Sequence, residues 1–478
     1  MGKIKKWFAT GKVWKIPLIA VVFLIIVLMV AAFVFWNMSG RPSFHRADEA
    51  QMRTMDFSGV SFEPHSFATD ALYLVQLVER THPIFVVDGW LPDNYEQMRD
   101  EFLTYTQNPD ITRLEFAFAT ARYFTTLRDG HMSGWNGLIE RDDDNMWSLA
   151  IFGDILDIVT VMHNGRMFLR EDDTDTQFEV IEIGGVAISQ IFDIIDRYYY
   201  GENEVDRQNN YRMFSRFGDV IERAGGTIAT NGVNLTINTN GEISTMQVGW
   251  MDLSVSGAEL DYIIRYEIMD DIFYIDLRTF VDGEHITEVV RSIENAVRND
   301  IRNFIVDLRG NGGGNSMAGH RLLEAMGITV PDWGAVRRIS PLLFENHSFL
   351  WYLRPFQWVG FDYMYVSPNI PENNNPNDVF VSVLTDASSF SSATMMAAWV
   401  QDGGFGNIIG GQSRNSPNSF GDILRFQLPY SGFVGVVSYT QWLRPDVNAD
   451  PINLLPDILV DPSEALDVAI EFLRNLDR

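Results

Sequence analysis

The sequence predicts an α/β protein set behind one N-terminal transmembrane helix. Three observations predict it. Ile16 to Trp36 is an uncharged, nearly all-apolar run. After it, a helical stretch gives way to short strands and turn signals. From Ile263 onward, apolar strand patterns alternate with helical stripes, which marks an α/β layer. The 478 residues allow roughly three domains at about 150 residues each, and 46% hydrophobic residues supply large cores.

The apolar run is 21 residues long. As a helix it would span roughly 31 Å, about the hydrocarbon thickness of a bilayer. Pro17 falls in its first turn, where proline is tolerated. Lys3, Lys5, Lys6, Lys12 and Lys15 precede it with no acidic residue among them. The positive-inside rule then places residues 1–15 in the cytoplasm and the 442 residues after Trp36 outside, on a single-pass anchor. A cleaved signal peptide would have an apolar core of about 7–15 residues and a small-x-small site. Phe35-Trp-Asn-Met-Ser-Gly40 offers no such site, so the expectation is an uncleaved anchor in the cell membrane.

Those five are the only lysines; the other 463 residues carry 31 arginines. Removing them from the net charge of −28 leaves −33 on the outer part. A surface this acidic disfavours nucleic acid. The absence of cysteine excludes disulfides, thiolate metal sites and cysteine nucleophiles. No cofactor is indicated.

Residues 37–60 are polar and read as a stalk. Residues 61–140 read as a helical region: Ala71, Leu72, Val75 and Val78 recur at helix spacing, as do Leu114, Ala117, Phe118 and Ala121. His82-Pro83 ends the first of these helices. Residues 141–262 read as a β-rich module, with strands at Asp157 to Met162, Phe178 to Ile183 and Val233 to Ile237 and turns at Asn164-Gly165 and Asn240-Gly241. A polar, Tyr-rich insert, Asp193 to Arg216, interrupts it. Residues 263–478 form the α/β part. Its strands are expected at Ile272 to Leu277, Asn303 to Leu308 and Val379 to Thr385. Ile286, Val289, Val290, Ile293 and Val297 make a helical stripe, and Ser391 to Gln401 a further helix. Pro368 to Asp378 is a loop. At the C-terminus, Asp461 is the expected N-cap, with Pro462 at the first position and Glu464 completing a capping box. The acidic clusters Glu140 to Asp144 and Glu171 to Asp175 lack calcium-loop spacing and read as solvated loops.

Three segments carry candidate chemistry. Asp307-Leu-Arg-Gly-Asn-Gly-Gly-Gly314 ends an apolar strand, and its small residues let backbone N–H groups converge on an oxyanion. It has no Gly-Lys-Ser/Thr ending, which excludes a Walker-type loop. Thr385 to Thr394 places serines between a strand and a helix, a position that suits either a nucleophile or a structural cap. Leu127-Arg-Asp-Gly-His131 follows a helix and puts a histidine beside a glycine.

In this order, the segments resemble the carboxyl-terminal processing (tail-specific) serine proteases, in the branch related to tricorn and the interphotoreceptor retinoid-binding protein. The resemblance runs from about Leu72 to the C-terminus. Thr81-His-Pro83, Arg128-Asp-Gly-His131, Phe273 to Phe280, Asp307 to Gly314 and Phe390-Ser-Ser-Ala393 carry it. Gly410-Gly-Gln-Ser413, Pro417 to Gly421, Leu428 to Gly432 and Pro456-Asp-Ile458 follow in family order. It implies a crotonase/ClpP-like α/β protease core, a PDZ-like module over residues 141–262 and a polypeptide substrate. It makes Ser391 the nucleophile, with Gly312, Gly313 and the Ser392 N–H as the oxyanion hole. The family uses lysine or histidine as base. Gly421 is followed by Asp422 and the outer part has no lysine, so His131 is the implied base. Gln412, Asp129 and Asp450 are the candidates for orienting it. The alternative on the same fold is an inactive protein that binds a peptide or an apolar ligand.

Overall fold

The computed structural model describes residues 43–46, 66–132, 140–141, 147–148, 154–171, 174–251 and 262–476. The expected anchor, Ile16 to Trp36, lies outside them. Among the described residues no helix is long and apolar enough to cross a membrane.

The chain opens with β1 (Ser43–His45). Helices α1 (Phe67–Thr81), α2 (Tyr95–Tyr105) and α3 (Arg113–Phe124) follow. Ser66 Oγ caps α1 by accepting the Thr69 N–H, and Pro83 lies just beyond its end. Thr112 and Glu115 form a reciprocal capping box at α3. The three helices bury Phe85, Tyr95, Phe116, Phe118, Tyr123 and Phe124. Inside that core Tyr95 Oη donates to Glu79 Oε1 at 2.9 Å, which satisfies a carboxylate that burial would otherwise penalise.

The β-rich module follows two short strands, β2 (Glu140–Arg141) and β3 (Trp147–Ser148). It comprises β4 (Val159–His163), β5 (Arg166–Glu171), β6 (Thr174–Ile183), β7 (Val186–Ala187), β8 (Val233–Thr239) and β9 (Glu242–Val248). Their antiparallel order is β4-β5-β6-β8-β9, with β7 on β6. The polar insert is helical: α4 (Ile188–Tyr198), α5 (Glu204–Phe214) and α6 (Gly218–Arg223) occupy and flank it. Asn203 caps α5 by accepting the Asp206 N–H.

The α/β core contains β10 (Ile264–Met269), β11 (Ile272–Leu277), α7 (Glu284–Arg298), β12 (Asn303–Asp307) and α8 (Met317–Ala325). There follow β13 (Gly334–Arg338), α9 (Pro341–Asn346), α10 (Arg354–Trp358), β14 (Tyr363–Val366), β15 (Phe380–Thr385) and α11 (Ser392–Gly403). The chain ends with β16 (Gly406–Gly410), β17 (Ser419–Gln427), β18 (Val434–Leu443), β19 (Ile458–Leu459) and α12 (Ala465–Arg474).

One sheet has the order β10-β11-β12-β15-β16-β19, parallel except for the antiparallel edge strand β10. Every residue of β11 and β12 is buried. Burial on both faces of the strand is what a parallel sheet covered on both sides requires. α7, α8 and α11 cover one face and α12 the other. The second sheet, β1-β14-β13-β18-β17, is antiparallel and shares a core with the N-terminal helices. Asp70 on α1 binds that sheet's hairpin, accepting the N–H of Tyr430 at 2.8 Å and of Ser431 at 2.7 Å.

Two local expectations change. The C-terminal helix starts at Ala465 with Glu464 at its cap, three residues later than expected. Asp461 instead accepts the N–H and hydroxyl of Ser463, a side-chain turn that competes with capping. Within the polar stretch taken as a stalk, Ser43–His45 adds a strand to a folded sheet.

Phe304 is fully buried at the centre of the parallel sheet. Phe304→Ala is expected to cost about 3–5 kcal/mol, seen as a lower urea midpoint. A loss below about 1 kcal/mol would contradict the packing described.

Candidate active site

β12 and β15 are parallel neighbours, so their C-terminal ends open side by side. That edge is where open α/β sheets place ligands. β12 runs out into the glycine loop. β15 runs into Asp386, whose Oδ1 accepts the N–H of Ser388 at 2.8 Å and of Ser389 at 3.1 Å. Ser389 is fully buried and donates its hydroxyl to the Leu308 carbonyl at 2.8 Å, clamping the two loops together.

Ser391 then adopts φ 53° and ψ −117° at the cap of α11. For a residue with a Cβ this left-handed geometry costs about 1–3 kcal/mol and persists only where surroundings enforce it. Its N–H donates to Asn415 Oδ1 at 2.8 Å. Gly313, at φ +97°, completes the enforcement: a Cβ there would stand 2.7 Å from the Phe390 carbonyl oxygen and 2.8 Å from Ser391 Cβ. Glycine alone permits this approach.

His131 arrives from the helical region. After α3 a tight turn ends at Arg128, at φ 51°, and Asp129-Gly-His131 follows. His131 Nε2 lies 3.1 Å from Ser391 Oγ, across 260 residues of sequence. Asp129 is fully buried. Its Oδ1 accepts the His131 N–H at 2.8 Å, and its Oδ2 lies 3.1 Å from His82 Nε2. The Asp129 Oδ1 to His131 Nδ1 distance is 3.7 Å, an electrostatic contact longer than a hydrogen bond.

Burial pushes the His131 imidazole below its ordinary value; Asp129 opposes this and Arg414 adds to it. His82 is lowered likewise by burial, against the pull of Asp129. At Asp129 burial acts upward, but the His82 hydrogen bond and the charges of His82 and His131 outweigh it, holding the carboxyl below its usual range.

The other expected residues divide. Gly312 and Ser392 line the cleft beside Ser391, which encloses about 510 Å³. The Gly313 N–H is turned instead onto Asn311 Oδ1 at 2.8 Å, so it braces the loop. Gln412 Nε2 donates to Asn453 Oδ1 at 3.0 Å. Asp450 accepts the N–H of Ile452 at 2.8 Å and of Asn453 at 3.0 Å. Of the three orienting candidates, the structure brings Asp129 to His131 and ties the other two to the loop near Asn453.

Two residues stand at the site without having been expected, Asn415 and Glu202. Glu202 Oε1 accepts the Gly130 N–H at 3.0 Å, and Oε2 accepts the Ser416 N–H at 2.8 Å and an Asn415 Nδ2 proton. Burial and the neighbouring Asp206 charge push Glu202 up to about 8. Asp206 is raised by burial to about 6, against the opposing charge of Arg414. Asn415 lies in the segment flagged through Gln412, three residues on. Glu202 lies in the polar insert and belongs to no motif. Asp129, His131 and Glu202 hold ligand-type atoms within 4.8 Å of one another. Their carboxylate oxygens already accept backbone and side-chain N–H groups, so the cluster works as a hydrogen-bond network.

Ser391, His131 and the glycine loop thus meet at one edge of the parallel sheet. Residues 271–460 match the model of peptidase family S41. The fold is similar to mature CPAF complexed with lactacystin, at 14% identity over 86% of this chain and 97% of that one, with TM-score 0.56. It is similar also to mature CPAF alone, at 13% identity over 86% and 95%, with TM-score 0.55. The photosystem II D1 C-terminal processing protease matches at 13% identity over 83% and 94%, with TM-score 0.43. No curated protein sequence matches the chain.

His131 and His82 set a test. Both should titrate below 6.5 when followed by histidine Cε1 proton resonances, assigned with His131→Gln and His82→Gln. A resonance of either titrating at or above 6.5 would contradict the burial.

Proposed function

We propose that the chain is a membrane-anchored serine endopeptidase that acts outside the cytoplasm on unfolded polypeptides or protein tails. The observation that carries the reading is the 3.1 Å approach of His131 Nε2 to Ser391 Oγ beside a glycine loop on a family S41 core. The apolar run behind five lysines supports the anchor and its orientation.

Ser391 Oγ attacks the peptide carbonyl carbon and its proton passes to His131 Nε2. The carbonyl oxygen becomes an oxyanion stabilised by the Gly312 and Ser392 amides and the N-terminal end of α11. The C–N bond breaks, the amine leaves with the His131 proton, and an acyl-enzyme remains. Water then repeats the sequence with His131 again as base. Asp129 stabilises the imidazolium across 3.7 Å. His82 and the His131 N–H fix the Asp129 carboxylate in turn.

A base must be neutral to accept the proton. Because His131 is lowered from 6.5, it is neutral at pH 7, and activity should rise with pH through a value below 6.5. The purified full chain should react with a fluorophosphonate. Ser391→Ala should abolish labelling, and His131→Ala should slow it by about 10²–10⁴-fold. A folded wild type that does not label would overturn the peptidase reading in favour of ligand binding.

A further inference from the structure

We infer that Glu202, supplied by the helical insert of the β-rich module, is a positioning residue for the Ser391–His131 pair. The inference rests on the peptidase reading. One carboxyl group joins the three segments that meet at the site. Through Asn415, whose Oδ1 takes the Ser391 N–H, it holds the nucleophile in its strained conformation. Through the Gly130 N–H it holds the residue before His131. Through the Ser416 N–H it fixes the loop between them.

The insert is bound to that loop by more than this carboxyl. Ser416 Oγ donates to the Glu202 carbonyl at 3.2 Å, and Asn203 Nδ2 to the Ser413 carbonyl at 3.4 Å. Arg414 faces Asp206 at 3.7 Å. Tyr200, Asp206, Asn210, Met213 and Phe214 of the insert line the same cleft as Ser391. A Cβ at Gly130 would stand 2.7 Å from Glu202 Oε1, so a side chain there would displace the carboxyl. The catalytic pair is therefore complete only when the insert is seated, and movement of the module is transmitted to Ser391 through Glu202.

The charge state gives a readout that mere structural support would not. Three N–H groups converge on Glu202, and the ionised carboxylate fits them best. Asp206, Asp129 and Tyr200 surround it on the acidic side and His131 on the basic side, with Arg414 facing Asp206. Ionisation near 8 should complete the network, so the wild-type labelling rate should rise in two steps, at the His131 value and near 8.

The test compares fluorophosphonate labelling of the full chain between pH 5 and 9 in wild type, Glu202→Gln and Glu202→Ala. Both variants place an amide or nothing where three donors converge. Labelling should slow by roughly tenfold to a hundredfold, as small misplacements of reacting groups do, and the upper step should vanish in Glu202→Gln. A folded Glu202→Gln that labels within twofold of wild type and keeps the upper step overturns the inference. A structure of Glu202→Ala decides independently of activity. Ser391 Oγ should move away from His131 Nε2, and an unchanged pair would overturn the inference even in a chain that labels nothing.

A second inference comes from the other end of the chain and rests on the anchor reading. β1 is seated against the α10 corner: Phe44 stacks on Phe356 at 3.9 Å, and Arg46 Nη2 donates to the Val359 carbonyl at 2.7 Å. Only residues 37–42 separate Trp36 from Ser43, a reach of at most about 25 Å. At that corner Trp358 is 77% exposed and Val359 56%. We propose that this corner rests on the bilayer interface, with Trp358 among the lipid headgroups, where tryptophan is favoured. The acidic outer part points to zwitterionic rather than anionic lipid.

The chain has no cysteine, so single-cysteine labels are unambiguous. Trp358→Cys, Ile243→Cys and Leu28→Cys variants of the full chain would each carry an environment-sensitive fluorophore in phosphatidylcholine vesicles containing doxyl lipid. Quenching at positions 358 and 28 but not 243 is expected. Quenching at 28 without 358 overturns the proposed contact and leaves the anchor standing. Absence at both overturns both.

Discussion

The hydrogen bond from the Ser391 N–H to Asn415 Oδ1, at 2.8 Å, is the constraint on which the site depends. Ser391 pays a conformational cost at φ 53° that its own sequence neighbours cannot offset. Compensation comes from elsewhere. Gly313 packs its bare Cα against Ser391 Cβ, Ser389 pins the loop to the end of β12, and Glu202 holds Asn415. Strain at a functional residue needs a surrounding that over-determines it. Here that surrounding is drawn from the α/β core and the β-rich module together.

The fold was largely legible because its strongest signals are physical repetition. β11 and β12 are built on short apolar runs, Ile272–Ile275 and Phe304–Val306, and α7 shows its stripe at helix spacing, so strands and helix fell close to their expected bounds. The insert was not legible as helices. The residues of α5 are mostly polar, and the helix is fixed by its Asn203 cap and by stacking of Tyr211 on Phe192 at 4.0 Å. Tertiary contacts of this kind override local propensity. β1 was hidden similarly, since three residues carry no periodicity and the strand exists only by pairing with β14.

The site was legible where short motifs carry it. Ser391, His131 and Asp129 meet as adjacent pieces of their own segments. Gln412 failed for a geometric reason: a one-dimensional motif names the right loop, but a side chain's direction depends on the loop's turns. Three residues along, Asn415 points inward and Gln412 outward to Asn453. Glu202 was beyond reach, because a single carboxylate in a polar insert is indistinguishable in sequence from a solvated one.

Three buried carboxyls of the site, Asp129, Glu202 and Asp206, show how partners, rather than burial, divide their charge. All are shielded from water, and burial acts upward on each. Asp129 ends below its usual range because two histidines face it. Asp206 rises only to about 6 with Arg414 nearby, and Glu202 rises to about 8 with neutral amides and a second carboxylate for company. Stacking three full negative charges here would be costly, and the ordering relieves it most at Glu202, where no cation offsets the burial. The carboxylate beside the imidazole therefore stays ionised, which is where the proposed transfer of the Ser391 proton to His131 would use an anion. The absence of lysine from the outer part fits the same logic. The proposed base is a group whose neutral form burial favours, and the cation facing the acidic cluster is an arginine, Arg414.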